Sequence, residues 1–303
     1  MDFNITVEEK GDKRIFKIIW ANYPMDDRIY REIHQYIKKS TDYNPLNSKK
    51  IKEFEHYLAN LNKKYNCNST IDQVISVRNI IIKEKIIKNY GRMNNQMTRI
   101  SKKYDKGKDI LTLSELYDFP PLNLLRGILI YKKYDVSKIY KVFANKESPE
   151  LLLSGRDLKQ YRLAEKNDAE STFNQQQIAK IAMKNENLFI EFFRKLNIKL
   201  KSQDDLVDEQ TKKYGRAVIT PDLLFIDIVY INGIRIHWID YKDYIGANVK
   251  FMLDSNINQA AKYNKKWGPG ALCFHKSYVE GVIIPGTILL DARSLPIKLK
   301  SEY

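Results

Sequence analysis

The chain has 303 residues, 43% of them hydrophobic, enough for two domains or one large one around a packed core. Lysine and arginine outnumber aspartate and glutamate by 52 to 37, a formal net charge of +15, of which +10 falls in residues 1–150; this balance suits a polyanionic partner, nucleic acid being the commonest. Cys67 and Cys273 lie in no CxxC or Cys/His cluster, which excludes a zinc or disulfide scaffold, and no apolar run reaches the ~18 residues of a membrane span. Residues 1–14 lack a signal-peptide core, so the expectation is a soluble intracellular protein of nucleus or cytoplasm, with no membrane partner.

Alternation of Phe3, Ile5 and Val7, then of Ile15, Ile18 and Ile19, predicts an N-terminal β-hairpin over 3–19. Ile29, Ile33 and Ile37 fall four apart and predict a helix over 26–39. Ser48 is the expected N-cap of a helix over 48–64, and 71–90 forms an isoleucine-rich third. A short helix covers 97–104. Thr112-Leu-Ser-Glu115 reads as a capping box that starts the next helix, which Phe119-Pro120-Pro121 ends. Pro121 opens a helix with Leu122, Leu125, Ile128 and Leu129 on one face. Lys132 and Lys133 follow its last apolar turn. The segment 112–134 fits a helix-turn-helix that touches phosphates, and it fits an α-hairpin in a bundle equally well.

Residues 143–156 mark a change of character. The expected division is a mostly helical domain over 1–148 and an α/β domain over 149–303. A helix-rich stretch reaches residue 197, and strands are expected over 218–230 and 234–242, joined at Asn232-Gly233.

The chemistry-bearing residues cluster on that hairpin. Thr220-Pro221-Asp222 opens the first strand, and Asp240-Tyr241-Lys242 closes the second. Asp240 and Lys242 are two apart and share a face. A two-residue turn would pair Asp222 with Asp243, on the opposite face. One extra residue would pair Asp222 with Tyr244 and Leu224 with Lys242, and all three groups would then share a face. A working site therefore requires an odd residue somewhere in the hairpin. Two carboxylates and a backbone carbonyl, that of Tyr241, are hard oxygen ligands suited to Mg²⁺ or Mn²⁺. Lys242 can orient water or offset charge on a phosphoryl group. A fourth group is expected from the preceding helix, where Glu186 and Glu191 both lie at a suitable distance. Gln259 and Tyr263, four apart, share a helix face and either contact the scissile phosphate or pack on the sheet. Trp238, Trp267 and His237 read as packing residues, and His34, His56 and His275 form no constellation.

This stretch resembles the TPD-motif, codanin-interacting-nuclease-like branch of the PD-(D/E)xK nuclease superfamily. The likeness is carried by 196–198 (Leu-Asn-Ile), Gln203–Leu206, Thr220–Asp222, Asn232-Gly233, Trp238–Lys242, Gly246, Gln259, Tyr263 and Trp267–Gly270. Phe119–Leu122 and Leu125-Arg126 are similar to that family's N-terminal helix-turn-helix. The resemblance implies an α+β or α/β protein: a helical N-terminal domain with a helix-turn-helix, then a restriction-endonuclease-like mixed sheet flanked by helices. It implies Glu186 as the helical acid beside Asp222, Asp240 and Lys242. Tyr241 and Asp243 stand where the family usually has Ser and Ala, and Ile245-Gly246-Ala247 replaces Phe-Gly-Asp.

The expected activity is metal-dependent hydrolysis of phosphodiester bonds, in DNA before RNA, with a metal-activated water as nucleophile. Glu186, Asp222, Asp240, Lys242 and Gln259 are the expected catalytic residues. Asp222, Asp240, Tyr241 and Glu186 would hold Mg²⁺ or Mn²⁺, and Lys132, Lys133 and Tyr263 would touch nucleic acid. The alternative is a nucleic-acid-binding adaptor that uses a nuclease fold and cuts weakly. A protein partner is compatible with either.

Overall fold

The computed structural model describes residues 2–301 except Thr41, with Ser40 described by its backbone alone. In chain order it contains β1 (Phe3–Lys10), β2 (Lys13–Trp20), α1 (Asp27–Ser40), α2 (Ser48–Tyr65), α3 (Ile71–Asn95), α4 (Met97–Asp105), α5 (Ile110–Tyr117), α6 (Pro121–Tyr131), α7 (Val136–Phe143), α8 (Gly155–Lys166) and α9 (Thr172–Lys195). There follow β3 (Leu200–Ser202), α10 (Gln203–Tyr214), β4 (Leu223–Ile231), β5 (Ile234–Lys242), α11 (Lys250–Trp267), β6 (Gly270–Phe274) and β7 (Thr287–Asp291). The protein is thus a mixed α+β chain, with helices in its N-terminal part and most of its sheet in its C-terminal part.

Two compact units emerge, and they do not divide at 148/149. One comprises Met1–Ile33, Tyr65–Ser76 and Ile181–Tyr303; the other comprises His34–Lys64 and Val77–Lys180. The hairpin accounts for the N-terminal piece of the first unit. Its alternation signals strands but not their partner, and β2 joins the C-terminal sheet by pairing parallel to β4, from Ile15↔Ile228 to Ile18↔Ile231.

In the first unit the seven strands form one mixed sheet in the order β1-β2-β4-β5-β6-β7, and β3 pairs with the early part of β4. β1 and β2 turn at Gly11, whose φ of 60° is costless only for glycine. On one face Phe189 and Phe193 of α9 pack with Phe16, Trp20, Leu223 and Ile239. On the other, Ala260 and Tyr263 of α11 pack with Trp238, Leu272 and Phe274. Gly270 allows the close fit there, because a Cβ at that position would lie 2.1 Å from the Trp238 ring.

The β4–β5 hairpin contains the required irregularity, in a different place from the turn. Asn232 (φ 51°) and Gly233 (φ 80°) make the tight two-residue turn, and pairing runs regularly from Ile231↔Ile234 to Val229↔Ile236. It then slips, resuming at Leu224↔Trp238 and Leu223↔Ile239. Three extra residues are accommodated on β4. The sense of the slip is opposite to the single addition that would pair Leu224 with Lys242. An odd number is nevertheless what parity demands: Ile236 faces the α9 core, whereas Trp238 faces α11. One place beyond Leu223↔Ile239, Asp222 comes level with Asp240.

In the second unit, α4 to α8 enclose a core that includes Ile100, Tyr104, Leu113, Phe119, Leu125 and Ile128. Helix starts differ in detail from the sequence expectation. The Asn47 side chain, not Ser48, accepts from Lys50 N–H at 2.9 Å. Asp109 caps α5 by accepting from Thr112 N–H at 3.0 Å and from the Thr112 hydroxyl at 2.6 Å, so the helix begins two residues before the supposed capping box. An acid outcompetes the hydroxyl because it can accept both bonds at once. Asp118, in the left-handed region at φ 47°, ends α5, and Pro121 is the first residue of α6. No α6 residue before Tyr131 is exposed. Asn123, Arg126, Gly127 and Ile130 are half-buried along one face of α6, a placement that suits an α-hairpin in a bundle and a helix-turn-helix alike. Lys132 ion-pairs with Asp105 and Asp157, both at 3.4 Å, while Lys133 is exposed.

Candidate active site

The slip in the hairpin brings the start of β4 and the end of β5 to one side of the sheet. A cleft of about 680 Å³ opens there, and Asp222, Asp240 and Lys242 all line it. Glu186 reaches it from α9, and Gln259 and Tyr263 from α11. Glu191, the other helical acid considered, is exposed and bonded to Arg194 at 2.8 Å. Glu191 lies five residues from Glu186 and so on another face of α9, the solvated placement that its spacing predicts.

Each group is held by neighbours. Asp222 accepts the Tyr241 N–H at 2.6 Å, which ties the two strands together at the site. Its own carbonyl accepts the Gln203 N–H at 3.2 Å and so fixes the start of α10 beside it. Asp240, 2% exposed, receives the Tyr263 hydroxyl and the Gln259 amide on Oδ1, each at 3.3 Å. Lys242 donates to Gln259 Oε1 at 2.8 Å and contacts Asp240 Oδ2 as an ion pair. That contact is close but poorly directed, and Oδ2 accepts no hydrogen bond of proper geometry. Gln259 thereby bridges the acid and the cation.

Burial governs the electrostatics. It pushes the Asp222 carboxyl well above the usual range, and the charges of Asp240 and Glu186 add to the effect. Burial also raises Asp240, against the opposing pull of Lys242. It raises Glu186 too, with Asp240 and Asp204 contributing. Burial disfavours the Lys242 ammonium, but the adjacent Asp240 carboxylate outweighs it and the ammonium is held more firmly than usual. Three acids thus gather around too little positive charge, an arrangement that concentrates at functional sites.

Among the described residues, no three His, Cys, Asp or Glu side chains close on one point as a formed metal cage. Lys242 stands against the Asp240 oxygen that such a cage would use. The donor set itself is of the hard-oxygen kind that suits Mg²⁺ or Mn²⁺.

The departures from the nuclease pattern have structural partners. The Tyr241 ring, 6% exposed, packs on Phe189 with centroids 5.0 Å apart. Asp243 turns to the other side and pairs with His275, whose backbone N–H donates to the Lys242 carbonyl at 2.8 Å. Sequence reading found no role for His275, since its partner lies 32 residues away. Gly246 lies where a Cβ would come within 2.8 Å of Tyr278. Gln203, one of the residues that carry the family likeness, also lines the cleft, as do Ser255, Asn258 and Lys262, for which the sequence suggests no role. The last three recur at helical spacing with Gln259 on α11, so periodicity was the available signal.

Residues 156–293, which contain every cleft-lining residue named above, match the family described as "Protein of unknown function TPD sequence-motif". Over 108 residues the chain is 34% identical to "Uncharacterized protein L539" of Acanthamoeba polyphaga mimivirus. That match covers 34% of this chain and 38% of the viral protein, so the chain spans well under half of its relative. No solved structure matches the chain. Among the described residues, no helix is long and apolar enough to cross a membrane.

Proposed function

We propose that the chain is a Mg²⁺- or Mn²⁺-dependent nuclease of the PD-(D/E)xK kind, hydrolysing phosphodiester bonds in DNA or RNA. One observation carries the reading. Glu186 from α9, Asp222 just before β4, and Asp240 and Lys242 from β5 line a single cleft, with the register slip setting Asp222 level with Asp240. Asp222, Asp240, Glu186 and the Tyr241 carbonyl would hold the metal. When bound, it would supply an activated water and draw charge from the phosphoryl oxygens.

The chain's own groups do the rest. Lys242 is fixed by Gln259 at 2.8 Å and can place its charge against a phosphoryl oxygen or orient the attacking water. Gln259 and Tyr263 hold Asp240 in the orientation its role demands. Burial makes each of these interactions stronger than it would be in open water.

The second reading is an adaptor that binds nucleic acid and cuts weakly. It is favoured by the Lys242–Asp240 ion pair, which occupies a carboxylate oxygen that a metal would need. Incubation with labelled single-stranded, duplex and branched DNA and with RNA, in Mg²⁺, Mn²⁺ or EDTA, separates the two. Metal-dependent cleavage supports the nuclease; binding with no cleavage in either metal supports the adaptor.

A further inference from the structure

The two walls of the cleft differ in chemistry. On α11, Ser255, Asn258 and Lys262 are exposed along one face, above the buried Gln259–Tyr263–Asp240 network. From Ser255 to Lys262 the helix rises roughly 10 Å, so the three side chains can follow a length of backbone and not a single phosphate. Hydroxyl, amide and ammonium groups of this kind are the usual partners of phosphate oxygens. The segment between α10 and β4 adds a small apolar wall: Val218, 56% exposed, lines the cleft together with Ile219, which also packs against Trp238, Ala260 and Tyr263.

That apolar wall is preformed. The Gln210 side chain, 6% exposed, accepts the N–H groups of Val218 and Ile219, both at 2.9 Å, and donates to the Ile219 carbonyl at 2.6 Å. A loop pinned by three hydrogen bonds to one buried amide keeps Val218 facing the cleft instead of collapsing into the core.

We propose that the cleft takes a single strand of nucleic acid, with its backbone along Ser255, Asn258 and Lys262 and unstacked bases against Val218 and Ile219. The proposal rests on the nuclease reading for what happens at Asp240 and refines it to a substrate class. A polar track with an apolar wall beside it matches a single strand, which has a charged edge and open base faces. A duplex stacks those faces away and presents phosphates on both sides. Depth points the same way. Asp222 and Asp240 are 7% and 2% exposed, so a scissile phosphate must enter a cleft of about 680 Å³, the size of a drug-like ligand's pocket and of a short stretch of one strand.

The test is fluorescence anisotropy in EDTA, which removes cleavage from the readout. The probes are a labelled 12-nucleotide DNA strand, an RNA strand of the same sequence and the DNA duplex. The protein is the full chain, as wild type, Val218→Asp and the double variant Asn258→Ala/Lys262→Ala. All the substituted side chains are exposed, and thermal melts check that the variants fold. The expected result is single-strand binding at least tenfold tighter than duplex binding, weakened at least tenfold by each variant, with duplex binding changed less than twofold. Equal affinity for strand and duplex, or equal losses on both, would overturn the proposal. A parallel incubation of wild type with the same probes in Mg²⁺ and Mn²⁺ keeps the two ideas apart. Selective strand binding without cleavage would uphold the groove and count against the nuclease.

Discussion

Replacing Lys242 with Met keeps the size of the side chain and removes the only cation in contact with Asp240 among the described residues. The side chains of Lys242 and Asp240 are 14% and 3% exposed, so the carboxylate would stay buried without its counter-ion. Breaking a buried pair in this way costs ~3–5 kcal/mol. The two remaining bonds to Asp240 Oδ1, at 3.3 Å each, are long and offset little of that. The cost should depend on pH. Burial already raises the Asp240 carboxyl, and loss of Lys242 raises it further. An acid raised in the folded state contributes stability that is complete below its unfolded value near ~4 and is lost as pH rises through the folded value. The deficit relative to wild type should therefore shrink as pH falls and grow as pH rises, and be smaller at pH 5 than at pH 8. Mg²⁺ or Mn²⁺ should restore part of it at pH 8 by replacing the missing positive charge. Urea unfolding followed by tryptophan fluorescence, in which buried Trp238 takes part, measures this directly. A deficit equal at pH 5 and pH 8, or none at either, would refute the reasoning.

The second unit offers an independent pH test. Burial pushes the Asp168 carboxyl up to about 7, against the opposing N–H bonds from Leu122 (2.9 Å) and Glu170 (2.8 Å). Native stability should fall as pH rises from ~4 to ~7, by at most ~4 kcal/mol, and Asp168→Asn should flatten that slope in urea titrations; parallel curves would count against it. Gly270→Ala places a Cβ 2.1 Å from Trp238, a ring fixed by its own bond to the Gly268 carbonyl at 3.0 Å, and should destabilise by about 3 kcal/mol in the same assay. Lys132 is committed to Asp105 and Asp157, so Lys132→Ala should leave the salt dependence of nucleic-acid binding unchanged, whereas exposed Lys133→Ala should flatten its log–log slope by up to about 1.

The elements with a regular period were legible in the sequence. Ile33 and Ile37 are fully buried on α1, and β5 occupies 234–242 as alternation required. The site was legible up to parity: an odd residue had to exist, but its place on β4 instead of the turn depends on how Ile236 and Trp238 pack on opposite faces. Strand partners were not legible. Nothing in 13–20 names β4 as its neighbour, because parallel pairing carries no local turn to mark it. Caps went astray where two acceptors competed, as with Asp109 and Thr112. The Asp243–His275 pair was invisible because it depends on a contact between distant segments.

The central claim is that the cleft cuts a phosphodiester through these acids. Single-turnover cleavage of a labelled single strand in Mn²⁺, by wild type and by Asp240→Asn, tests it most directly. Asparagine keeps the size and removes the charge, so the rate should fall by on the order of 10² or more while the fold persists. Cleavage by Asp240→Asn at the wild-type rate would contradict the account.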